Sequence, residues 1–73
     1  MAKKNEPEKV IVYTVEAGGG YTGVNVREKP SENSTVLYVA PNGTMVKPDD
    51  SKRPPSGWVA IQGGGYIKND YLK

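Results

Sequence analysis

The sequence predicts an all-β domain, a small barrel of five to seven short antiparallel strands. Three observations carry this reading. Short runs rich in β-branched and aromatic residues recur along the chain, and such residues suit a pleated, half-buried surface. Gly, Pro and Asn-Gly clusters separate the runs, which is the punctuation of turns. No stretch keeps helical apolar spacing for more than about one turn. A chain of 73 residues allows one domain with a core too small for a deep catalytic cleft. At that size, closing the sheet on itself removes edges that would template aggregation.

The elements follow in order. Residues 1–9 are charged and hold no apolar run, so a disordered tail or linker is expected there and the barrel domain over 10–73. Residues 10–15 form the first expected strand, ended by Gly18-Gly19-Gly20. Residues 21–27 form the second, with Val24 and Val26 facing the core and Asn25 and Arg27 facing outward by the period of two. A turn over 29–34 leads to a third strand over 35–40, closed by Pro41-Asn42-Gly43. Asn-Gly favours a type I′ hairpin, so residues 44–46 are expected to return against the third strand. A polar loop over 47–57 with three prolines precedes a strand over 58–61. Gly63-Gly64-Gly65 then turns the chain into a last short strand at Tyr66-Ile67. The expected core is Val12, Val24, Val26, Val36, Val39, Val46, Val59 or Ala60, Ile61 and Ile67.

Composition excludes several functions. Ten Lys and Arg against eight Asp and Glu give a net charge of +2, short of the dense basic stripe of a dedicated nucleic-acid binder, so that partner is not expected. Hydrophobic residues make up 36%, and no apolar run approaches the ~20 residues of a membrane helix. Neither Cys nor His occurs, which removes disulfides, thiolate chemistry and the commonest general base and metal ligand. Scattered serines without His give no nucleophilic arrangement. The glycine triplets lack the Gly-Lys-Ser/Thr ending of a phosphate loop. Asp49-Asp50 with Ser51 offers too few convergent oxygens for a hard cation. Lys52-Arg53-Pro54-Pro55 reads as a stiffened loop. No enzyme, cofactor or metal is expected.

Aromatic residues are the remaining candidates for recognition. Tyr13, Tyr21 and Tyr66 lie beside Gly-rich turns, where a ligand backbone can approach. With outward-facing Asn25 and Arg27 they form the candidate ligand-binding set. Tyr38 and Tyr71 are read as rim packing, and Trp58 as packing at the core edge.

Val24-Asn25-Val26-Arg27 followed by Glu28-Lys29-Pro30-Ser31 resembles the signature of the bacterial SH3 domain: an apolar residue, Asn-Val-Arg, two variable residues, then Pro-Ser. The likeness continues through Ser34 and Val36, Gly43-Thr44, Gly57-Trp58, Gly65-Tyr66-Ile67 and Tyr71-Leu72. The Gly-rich insertion 17–20 and the Pro-rich loop 48–56 depart from the family pattern. The resemblance implies an SH3-like barrel acting as a non-catalytic binding module, and a monomer is expected. It also implies docking to bacterial cell-wall peptidoglycan, or its peptide cross-bridge, to target an attached protein. A domain excised from a secreted protein would lie outside the cell or at the cell wall. The alternative is a complete small cytoplasmic protein of phage or mobile-element type, which binds a host protein through its barrel loops. No membrane partner is implied.

Overall fold

In the computed structural model, residues 10–73 are described, and the tail expected over 1–9 lies outside them. Six strands follow in order: β1 Tyr13–Thr14, β2 Gly23–Arg27, β3 Val36–Pro41, β4 Met45–Val46, β5 Trp58–Ala60 and β6 Tyr66–Lys68. A 3-10 turn over Asn69–Tyr71 follows β6. The strands form a four-stranded antiparallel sheet in the order β3-β2-β6-β5 and a two-stranded sheet of β1 and β4. This is the small all-β barrel the sequence predicts.

The core is small and aliphatic. Val15, Val24, Val26, Ala40, Ala60, Ile61, Ile67 and Leu72 are buried, each large aliphatic contributing roughly 1.5–3 kcal/mol. Val24 and Val26 point inward while Asn25 is exposed, as the alternation requires. At the fifth strand Ala60 is buried and Val59 half-buried. Ile61 then enters the core from an isolated bridge to Pro48. Three expected core residues are corrected: Val12, Val36 and Val39 are exposed. β3 is an edge strand, and its register against β2 shifts between Val26 and Arg27. Alternation therefore does not carry inward along it, and Ala40 alone supplies its buried side chain. Val46 is half-buried against the core.

The expected hairpin after the third strand is also corrected. Met45 and Val46 pair with Thr14 and Tyr13, not with β3. A type I′ turn needs positive φ at both central residues, yet no residue other than glycine has positive φ among the described residues. Gly43 sits at φ 91, and Thr44 N–H donates to Pro41 O at 3.1 Å. That is the pattern of a type II turn, which sends the chain out of the sheet towards β1.

Barrel closure uses the end of the chain. Val15 bridges Leu72. Thr14 and Lys73 exchange backbone hydrogen bonds at 3.1 and 3.0 Å, and Glu16 N–H donates to Tyr71 O at 2.8 Å. These contacts draw the 3-10 turn against the loop that leaves β1.

Candidate binding groove

A groove of about 810 Å³ crosses the outer face of β2. Gly23, Val24, Asn25 and Arg27 line it from β2; Ala17, Gly18, Gly19 and Tyr21 line it from the loop before that strand. Glu32 and Asn33 belong to the turn after β2, while Trp58, Lys68 and Tyr71 come from the last third of the chain. Three aromatic rings and two exposed amides, Asn25 and Asn33, therefore share one groove.

The Gly-rich loop is built to approach this place. Gly18, Gly19 and Gly20 have φ of 74, 58 and 82, a left-handed run that residues with a Cβ avoid. Tyr21 N–H donates back to Gly18 O at 3.0 Å, and the tyrosine ring stands out to solvent, 74% exposed. Asn42, across the barrel in sequence, locks the loop. Its Oδ1 accepts from Ala17 N–H and its Nδ2 donates to Tyr21 O, both at 2.8 Å. Asn42 keeps a negative φ in its turn while its side chain bonds this loop.

Charge is confined to one end. Lys68 Nζ hydrogen-bonds Glu32 Oε2, joining β6 to the turn after β2. That ammonium holds the Glu32 carboxyl below its usual range, and Glu32 holds the Lys68 ammonium above its own. Arg27 donates from Nη1 to Ser34 O at 2.8 Å, which ties it to the turn rather than to a carboxylate. Its remaining guanidinium donors still border the groove. At the other side of the barrel Asp49 serves its own loop. Its Oδ1 accepts from Ser51 N–H at 3.0 Å and Ser51 Oγ at 2.6 Å, which lowers its carboxyl below the ordinary range.

Of the candidate ligand-binding residues, Tyr21, Asn25 and Arg27 meet in the groove. Tyr13 and Tyr66 do not line it. Tyr13 is half-buried in β1 and packs against the core. Tyr66 pairs with Arg27 and Ala60 inside the sheet. Trp58 and Tyr71, read from the sequence as packing, both line the groove, and Asn42, read as a turn residue, holds the loop beside it. Tyr71 packs against the core as well as lining the groove, so one ring serves both the barrel rim and the groove wall. The Gly57-Trp58 and Tyr71-Leu72 steps were visible as family features, but the topology that joins them to β2 was not.

The chain is 38% identical to the large ribosomal subunit protein uL2 of Pyrobaculum islandicum over 92% of its own length, but spans only 30% of that protein. The corresponding protein of Pyrobaculum aerophilum is 36% identical, with the same coverage of both chains. No solved structure gives a significant match. The family model of the bacterial SH3 domain matches residues 22–73, a span that holds β2 to β6 and most of the groove. The chain belongs to the bacterial SH3 domain family, a family of binding modules.

Proposed function

We propose that this domain docks a short peptide of the bacterial cell wall, such as the peptidoglycan cross-bridge, in the groove over β2, and so targets the protein that carries it. One observation carries the reading: Tyr21, Trp58 and Tyr71 line one groove with Asn25 and a glycine loop. A flexible peptide of small residues offers mainly backbone amides and apolar faces. Aromatic rings supply contact area to such a chain, the Asn25 amide both donates and accepts, and Gly18 and Gly19 let a ligand backbone come close. The domain would act at the cell wall, as a non-catalytic module. Among the described residues no helix is long and apolar enough to cross a membrane.

Retention on purified cell walls, with chemical-shift mapping against peptidoglycan fragments, tests the proposal. Shifts should cluster at Tyr21, Asn25, Trp58 and Tyr71, and Tyr21→Ala and Tyr71→Ala should each reduce retention. Absence of retention by the unmodified chain would end the reading.

A second reading rests on the similarity to uL2, whose name places it in the large ribosomal subunit. Here the groove would take single-stranded RNA, with bases stacked on the same rings. Binding to an oligonucleotide that weakens steeply with salt would favour it. A host protein held through the loop over 47–57 is the outcome in which neither ligand shifts the groove.

A further inference from the structure

β3 is an edge of the four-stranded sheet, and its apolar residues are open on that edge. Val36, Leu37, Tyr38 and Val39 are each 40–56% exposed. No Asp, Glu, Lys or Arg occurs between Asn33 and Val46 in a chain that is 25% charged. Natural sheets blunt an exposed edge with lysines, prolines, bulges or a covering segment. Here Pro41 guards one end and the register shift beside Val26 the other, and among the described residues no strand pairs with Tyr38 to Ala40 on that side.

The hydrogen-bond phase shows what this edge offers. Asn42 N–H donates to Thr22 O at 2.9 Å, so Ala40 and Tyr38, two and four residues back, also turn their backbone towards β2. In an antiparallel ladder the residues between them turn the other way. Val39, opposite Asn25, therefore presents its N–H and C=O to the free edge.

We propose that β3 pairs antiparallel with β3 of a second copy of this chain, joining two four-stranded sheets into one across a twofold axis. Charge selects this occupant. In a twofold strand pair a residue on the axis meets its own copy and one beside it lies close to its own copy, so any charge near the axis faces a like charge. A strand with none for so many residues pairs with itself without that penalty, and it offers no counter-charge to attract a charged peptide. β3 contributes no side chain to the groove, so the pair keeps two open grooves.

Sedimentation equilibrium of the chain tests the pairing. A contact of this length belongs to the small, transient class, to be read between about 10 µM and about 1 mM. The unmodified chain should pass from monomer to dimer over that range, and exchange of the Val39 amide should slow as it does. Val39→Lys sets two ammonium groups close to the axis and should raise the dissociation constant about tenfold or more. Met45→Lys, equally a new charge in the uncharged segment but on β4, should leave it unchanged. A chain that stays monomeric throughout overturns the proposal, as does a dimer that Val39→Lys leaves intact or Met45→Lys disrupts equally. If Val39→Lys does not fold, the amide exchange of the unmodified chain decides: a Val39 rate independent of concentration rejects the pairing.

Discussion

Asn42 holds Tyr21 by its backbone carbonyl. The asparagine amide donates to the tyrosine carbonyl and accepts from Ala17 N–H, both at 2.8 Å, bracketing a glycine run that would otherwise be free to rearrange. Asn42→Ala should therefore weaken ligand binding more than it weakens the fold. Both hydrogen bonds are exposed, so the expected loss of stability is about 1–2 kcal/mol. A binding titration run beside a denaturant melt checks the difference. Asn42→Asp keeps the acceptor for Ala17 but loses the donor to Tyr21, and should fall between.

Val26→Asp should unfold the domain. The side chain is fully buried, and an unpaired carboxylate there costs several kcal/mol, comparable to the stability of a domain this small. Asn25→Asp, one residue away but exposed, should leave the fold standing and act on binding. Circular dichroism melts of the two variants are the check.

Gly65→Ala should destabilise far more than Gly63→Ala. Both glycines have positive φ, 102 and 95, so both substitutions strain the backbone by about 1–2 kcal/mol. At Gly63 a new Cβ meets open space, whereas at Gly65 it runs into Cγ1 of buried Val26. The excess cost of Gly65→Ala in urea unfolding measures that collision.

The Lys68–Glu32 pair should give a pH-bounded contribution to stability. The folded-state pKa of Glu32 is depressed by the Lys68 hydrogen bond and charge, so its contribution is complete above the unfolded carboxyl value and disappears as pH falls through the folded one. The Lys68 value is raised by the same partner, so its contribution is present below the ordinary ammonium range and is lost as pH rises through the folded value. Glu32→Gln should lower Tm near neutral pH, and the difference should vanish in acid and shrink in high salt.

The second strand was legible in the sequence because it lies between two neighbours with one face on the core. There the period of two has a physical consequence, and Val24, Asn25 and Val26 obey it. The third strand is apolar throughout, with no polar alternation to set its phase; among the described residues it lacks a neighbour on one side, and its register slips beside Val26. Val36 and Val39, apolar by type, are accordingly exposed. Asn42-Gly43 misled for a related reason. The dipeptide accommodates a hairpin, yet Asn42 keeps negative φ because its side chain bonds Ala17 and Tyr21, a demand set by residues more than twenty positions earlier. Tyr21, Asn25 and Arg27 were readable as groove residues because they lie on or beside the legible strand. Trp58 and Tyr71 reach the groove only through the pairing of β6 with β2 and the closure at Leu72, which no local pattern encodes.

That closure also fixes how the domain answers a mechanical load. Thr14 and Lys73 face each other as the outermost hydrogen-bonded pair, with Val15 and Leu72 next in line. Tension applied through the flanking chain at both ends would strain these bonds one pair at a time, in a zipper, rather than shear them together. The same tug would draw Tyr71 away from Glu16 and spoil one wall of the groove before the four-stranded sheet gave way. A module anchored at both ends would thus release its ligand under low force, while most of its core remained intact.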